Sequence, residues 1–191
     1  MWAMQYLQPA QSRAFLSSSG FGSMRFGLPA AIGAKKARPG SLVVDIDGDG
    51  SLNMTINELS TCRRYSLGVK IFVVNNQWLG IVRQWQDMIY AGNRVASSLG
   101  DTVSEVQPES GAASPYPDFL SIAAGYGVKA ERVIALSELQ AAIGRMLRDP
   151  AEPYLLDVLV EREDNVFPMI PSGKTYRDVV FDASGGGVSD T

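Results

Sequence analysis

A doubly wound α/β fold, a parallel sheet with helices on both faces, is predicted by three features of the sequence. Two apolar, β-branched runs, Leu42-Val43-Val44-Asp45-Ile46 and Val69-Lys70-Ile71-Phe72-Val73-Val74, each stop abruptly at turn-forming residues, as buried parallel strands do. Between them, Thr55 to Tyr65 carries Ile56, Leu59 and Cys62 at helical spacing, so strand, helix and strand follow in one βαβ unit. After the second run, Ile81, Val82, Trp85, Met88 and Ile89 recur as one face of a further helix.

The remaining elements follow in chain order. Ala14-Phe15-Leu16 reads as a short strand entering the Gly/Ser-rich stretch Ser17 to Gly27, which feeds an Ala-rich helix from Leu28 to Ala37. Ser97 to Pro117, rich in Ser, Gly, Pro and acids, forms a connection long enough to be functional or mobile. Beyond it, Phe119, Ile122, Ala123 and Tyr126 mark a helix and Arg132-Val133-Ile134 a short strand. Ser137 with Gln140 reads as a capping box opening a helix to Leu147, and Tyr154 to Val160 as the last strand. Residues 1–183 are expected to form one domain and 184–191 a disordered tail.

Composition removes several classes of function. The 191 residues are 46% apolar and 19% charged, which suits an ordinary globule that buries a core without staples. The net charge of -3 is mixed along the chain, and Lys35-Lys36 and Arg63-Arg64 are too short for a nucleic-acid stripe. No apolar run reaches the roughly 18 residues that span a bilayer. The single Cys62 reads as a small buried side chain in a reducing, cytoplasmic-type compartment. With no histidine at all, imidazole metal sites and Ser-His or Cys-His catalysis are excluded, so chemistry falls to carboxylates, backbone or a cofactor.

In a parallel sheet, ligands sit beyond the carboxyl ends of the strands. Gly48-Asp49-Gly50 and Asn75-Asn76 end the two clearest strands. The glycines allow close approach of backbone N–H groups to a phosphate, and the Asp49 carboxylate is a hard oxygen ligand that suits Mg²⁺. The Asn76 amide and the Trp78 backbone carbonyl complete a plausible protein ligand set, leaving the other octahedral positions to diphosphate and water. Each motif alone also reads as plain turn punctuation.

The combination is more specific. Gly48-Asp49-Gly50, followed after a helix and a strand by Asn75-Asn76, resembles the thiamine-diphosphate motif. Around it stand Phe26-Gly27-Leu28-Pro29-Ala30-Ala31-Ile32-Gly33-Ala34, Val44-Asp45-Ile46-Asp47-Gly48-Asp49-Gly50-Ser51, Asn57-Glu58-Leu59-Ser60-Thr61, Gln84-Trp85-Gln86 and Phe167-Pro168-Met169-Ile170-Pro171-Ser172-Gly173. In that order, from Met1-Trp2 to about Val180, they resemble acetolactate synthase, also called acetohydroxyacid synthase.

The resemblance implies the C-terminal, diphosphate-binding domain of a large subunit, with Met1-Trp2-Ala3 matching an internal stretch. The pyrimidine-binding domain with its activating Glu, and the middle domain that binds FAD in that family, are then expected elsewhere, and this chain alone is expected to be inactive. The parent enzyme would decarboxylate pyruvate and join the product to pyruvate or 2-oxobutyrate in branched-chain amino-acid synthesis. It would act as a homodimer or larger homo-oligomer whose site is shared with the pyrimidine-binding domain of a neighbouring subunit. A different thiamine-dependent decarboxylase or carboligase, and a non-catalytic assembly module, are the alternatives.

By resemblance, Gly20, Gly22 and Met24 meet the aminopyrimidine, the Gly22 carbonyl and Met24 N–H hold its nitrogens, and the Met24 side chain wedges the cofactor bent. Gly48, Asp49, Gly50, Ser51, Asn76, Trp78 and Leu79 line the cofactor, while Trp85, Ile81 and Val82 face the second substrate. From periodicity alone Trp85 is instead a core aromatic, and Met24 a gap-filling core residue. Ser19 and Arg25 stand where the family usually has glycine, and Arg94-Val95-Ala96 departs from a stretch where it often has a His.

Overall fold

The computed structural model describes residues 1–9, 11–100, 116–171 and 173–182. Four parallel strands form its sheet: β1 (Val43–Gly48), β2 (Val69–Asn75), β3 (Lys129–Val133) and β4 (Tyr154–Leu159), in the order β1-β2-β4-β3. The central strands β2 and β4 are the most buried, and this is why they read as continuous apolar runs. The register pairs Gly48 with Val74 and Asn75 with Leu159, which aligns the carboxyl ends of β1, β2 and β4.

A short helix, α1 (Trp2–Tyr6), buries none of its residues, and the helices that follow cover both faces. On one, α2 (Gly27–Ala37), α3 (Asp49–Asn53), α4 (Leu59–Arg64) and α6 (Phe119–Gly125) pack Leu28, Leu52, Leu59, Cys62 and Phe119 against Ile71, Val73 and Leu155. On the other, α7 (Leu136–Leu147) lays Ala142 and Met146 on Val133, Leu156 and Val158. The strand period of two divides these clusters, since Leu155 points to one face and Leu156 to the other. Cys62 is fully buried, and burial, then Glu58 and Asp45, pushes its thiol up to about 12, so it is an inert core residue.

Several boundaries differ from the sequence reading. Ala14-Phe15-Leu16 forms no strand. The segment is short, lacks β-branched residues and has no ladder partner, and it borders a cleft beside β1 with Leu16 exposed. The Ser137 capping box is absent: α7 starts earlier, behind Ala135, so Ser137 lies inside the first turn and makes no cap bond. A capping box does form at Thr175 and Asp178, around a short 3-10 turn. Thr55 to Tyr65 splits into a 3-10 turn, Ile56–Glu58, and α4. The third strand ends at Val133, leaving Ile134 exposed. Of the long connection, 101–115 lies outside the described residues, as does the tail from 184.

The helix after β2, α5 (Gly80–Ile89), is turned against its apolar stripe. Arg83 and Gln84 are its buried residues, while Val82, Trp85 and Ile89 are exposed. Polar partners explain this orientation. Gln84 Nε2 donates to the Val166 carbonyl at 3.0 Å and its Oε1 accepts from Val166 N–H at 2.8 Å. The Arg83 guanidinium donates to Asn165 Oδ1 at 2.7 Å and to the Asp164 carbonyl at 3.1 Å.

Candidate cofactor site

A cleft of about 500 Å³ opens where β1 and β2 end. It is lined by Met24, by Gly48, Asp49, Gly50 and Ser51, and by Asn76, Trp78, Leu79, Ile81 and Val82. Those ten positions come from three separate stretches, and the sheet register alone brings the two strand-end motifs together. Gly20, Gly22 and Trp85 do not line it. Gly20 and Gly22 have positive φ angles of 100° and 61° in an open loop with nothing within 4 Å of a would-be Cβ, and Trp85 is 46% exposed on the outer side of α5.

The backbone dictates how the cleft is roofed. A Cβ on Gly50 would meet Leu79 Cδ2 at 2.7 Å, Leu99 Cδ1 at 2.9 Å and Met24 Cε at 3.4 Å, so three apolar side chains close over a residue that has none. Ser51 ties in the glycine-rich loop, its hydroxyl accepting from Arg25 N–H at 2.8 Å. Arg25 takes φ of 66°, so the left-handed path that glycine would follow is kept despite the side chain. Ser19 has no such requirement.

Asp49 is the buried acid of the cleft, 2% exposed. Burial raises its pKa to about 6, partly offset by the Tyr116 hydroxyl and by backbone N–H groups including those of Gly50 and Gln77. Tyr116 Oη lies 2.9 Å from Asp49 Oδ2. Asp49 makes no ion pair among the described residues. A buried carboxylate without a cation is costly, and a hard divalent ion fits it. The next donors also suit such an ion. Gln77 takes φ of 58° and turns the chain so that Asn76 Oδ1 accepts from Trp78 N–H at 3.1 Å, which joins the amide and the residue whose carbonyl is the third candidate oxygen. No group of three or more His, Cys, Asp or Glu capable of holding a metal occurs among the described residues, so a metal here relies on amide and carbonyl oxygens.

Four features of the site escape the sequence. Tyr116 enters from the far end of the long connection. Asn75, next to the candidate ligand Asn76, instead faces inward, donating to Asp157 Oδ1 at 2.8 Å. Asp45 and Asp47 turn under the start of α2, and the Oδ2 of each is buried without a hydrogen-bond partner among the described residues. Arg94 pairs with Asp87 at 2.7 Å and Glu163 at 2.9 Å, with its guanidinium over the ring of Trp78, which lines the cleft. A return segment lies beside it, Leu79 N–H donating to the Ser97 carbonyl at 2.8 Å and Leu99 N–H to that of Gln77 at 2.9 Å.

A doubly wound parallel sheet with a cleft at its carboxyl edge is a ligand-binding domain of the α/β class. More particularly, the chain belongs to the family described as thiamine pyrophosphate enzyme, C-terminal TPP binding domain, whose model matches residues 1–158. It is 49% identical over 185 residues to acetolactate synthase 2, chloroplastic, of Zea mays, covering 97% of this chain and 28% of the relative. The same identity and coverage hold for acetolactate synthase 1, chloroplastic, of Oryza sativa subsp. japonica. The chain thus spans little more than a quarter of the length of these relatives. Among solved structures it is similar to the Rhodococcus jostii RHA1 thiamine diphosphate-dependent 4-hydroxybenzoylformate decarboxylase, with a TM-score of 0.61 and 29% identity, covering 76% of this chain and 24% of that one. Thiamine diphosphate is therefore the cofactor of the family to which this domain belongs. Among the described residues, no helix is long and apolar enough to cross a membrane.

Proposed function

We propose that this chain is the diphosphate-binding half of an acetolactate-synthase active site. The observation that carries the reading is the meeting of Asp49, Asn76 and Trp78 at one apolar-roofed cleft in a chain so similar to acetolactate synthases. Asp49 Oδ, the Asn76 amide oxygen and the Trp78 carbonyl would hold Mg²⁺. Backbone N–H groups around Gly48, Gly50 and Ser51 would meet the diphosphate. Gly20, Gly22, Met24 and Leu79 would hold the organic rings, and Trp85, Ile81 and Val82 would face the second substrate. Once bound, thiamine diphosphate supplies an electron sink for decarboxylating a 2-oxo acid, while the protein contributes orientation and exclusion of water.

The substrates of this reading are pyruvate and pyruvate or 2-oxobutyrate, and the pathway is branched-chain amino-acid synthesis. Its parent enzyme carries FAD on another domain and works in a reducing compartment, the cytoplasm or an organelle. The outward apolar stripe Val82, Trp85 and Ile89 supports a shared site, because such a surface is suited to being covered by the pyrimidine-binding domain of a neighbouring subunit in a homo-oligomer. This chain alone is inactive in that reading.

The test is to supply the full-length enzyme containing this chain with thiamine diphosphate, Mg²⁺ and FAD and to measure acetolactate formed from pyruvate. Product formation that disappears in Asp49→Ala supports the reading, and its absence in the wild type refutes it. A second reading, a 2-oxo acid decarboxylase, is favoured by the solved structure it resembles. Aldehyde release without carbon–carbon bond formation, unaltered in Trp85→Leu, would select it.

A further inference from the structure

We propose that Tyr116 is a positioning residue for Asp49, held from behind by a buried hydrogen-bonded relay that runs through Asn75 and Asp157 to Arg132. The inference rests on the reading of Asp49 as a metal ligand. Tyr116 Oη lies 2.9 Å from Asp49 Oδ2 and 2.9 Å from Asn75 Oδ1. Asn75 Nδ2 donates to Asp157 Oδ1 at 2.8 Å, Arg132 Nε donates to Asp157 Oδ2 at 2.9 Å, and the Arg132 guanidinium reaches Asp118 at 3.0 Å. Asn75 and Asp157 are essentially inaccessible, 1% and 0% exposed. The relay crosses the sheet from edge to edge, because Asp49 follows β1, Asn75 ends β2, Asp157 lies in β4 and Arg132 in β3.

Each link determines the next. Arg132 takes one oxygen of Asp157, leaving the other to accept from the Asn75 NH₂ group, so the Asn75 amide has one orientation and presents its oxygen toward Tyr116. The tyrosine ring stands edge-on to Phe119, with centroids 5.8 Å apart and planes at 86°, which sets the position of the phenol from the apolar side. The hydroxyl has a single hydrogen, and an ionised Asp49 is a stronger acceptor for it than the Asn75 amide oxygen. The phenol therefore occupies Oδ2 and steers the carboxylate so that its other oxygen serves the metal. Phenylalanine would fill the same space against Phe119, so only the hydroxyl distinguishes support of Asp49 from packing. Partners of this kind orient ligating carboxylates, and losing one typically costs about 10–100-fold in metal affinity.

The experiment uses the full-length enzyme that carries this chain, with saturating thiamine diphosphate and Mn²⁺ as the probe. Electron paramagnetic resonance reads both free Mn²⁺ and the symmetry of the bound ion. Tyr116→Phe is expected to weaken Mn²⁺ binding about 10–100-fold and to change the bound-ion spectrum, with little change in the unfolding midpoint of the metal-free protein. Arg132→Gln, at the partly exposed end of the relay, is the second variant and loses affinity in the same direction by a smaller factor. Wild-type affinity and spectrum in both variants, while Asp49→Ala abolishes binding, would overturn the role of Tyr116 and leave the site reading intact. Equal Mn²⁺ binding by wild type and Asp49→Ala would remove both.

Discussion

The Arg94 guanidinium lies 5.4 Å from the centroid of the Trp78 ring, and that of Arg83 lies 5.8 Å from the same ring. Arg94 also grips Asp87 of α5 and Glu163 beyond β4 through four hydrogen bonds of 2.7 to 3.3 Å. One side chain thus fastens the return segment, the helix and the chain after β4 around the residue whose carbonyl is a candidate metal ligand.

Arg94→Gln should loosen that fastening without unfolding the sheet. A partly exposed cation–π contact contributes about 0.5–1 kcal/mol and an exposed ion pair about the same or less, so local opening becomes roughly ten times more frequent. Hydrogen exchange should quicken by about that factor at the amides of Leu79, Leu99 and Gly100, which bond across the return segment, and stay unchanged in β2 and β4.

Stability should fall with rising pH because of Asp45. Burial, then the neighbouring Asp47, raises its pKa from 3.8 to about 7 in the folded chain. Between those values the folded state holds a proton that the unfolded state has released, so the stabilisation is complete below about pH 4 and lost as pH climbs through 7. Asp47 and Asp49 are raised as well and act in the same direction. Urea unfolding of the metal-free protein between pH 4.5 and 7.5 should therefore show a decline on the order of a few kcal/mol, which Asp45→Asn makes shallower.

Arg25→Gly should stabilise the chain. A left-handed residue with a Cβ costs roughly 1–2 kcal/mol, offset in part by the greater freedom glycine has when unfolded. A net gain of about 0.5–1 kcal/mol is expected, measured as a raised denaturant midpoint at constant slope.

Gly68→Ala should do the reverse. Its Cβ would stand 2.1 Å from the Pro150 carbonyl oxygen and 2.8 Å from the Ala151 carbonyl carbon, and backbone cannot turn aside as a side chain can. Overpacking of this kind costs about 1–3 kcal/mol, visible as a lower thermal midpoint, with the entry to β2 displaced.

The core strands were legible because β2 and β4 are covered on both faces and so are written in nearly unbroken apolar residues. The strand-end motifs followed from them, since a buried strand that stops at Gly48 or Asn75 delivers the next residues to the carboxyl edge. Helical spacing, by contrast, shows which residues share a face and not where that face points. Ile81, Val82, Trp85, Met88 and Ile89 all lie in α5, yet Arg83 and Gln84 take the inward position through partners about eighty residues away. Tyr116 was illegible for a similar reason. It lies 67 residues from Asp49 and 41 from Asn75, at the end of a connection with no periodicity to mark it.

The polar thread from Asn75 through Asp157 to Arg132 also guards against mispaired sheets. Because side chains alternate across a strand, a slip of one residue between β2 and β4 would swing Asp157 to the opposite face. It would leave the Asn75 amide and the Arg132 guanidinium without their shared carboxylate, and interior polar groups stranded in this way are expensive. Apolar neighbours such as Val73 and Leu155 tolerate many pairings. The thread accepts one alignment, and so works as a registration key for the assembling chain.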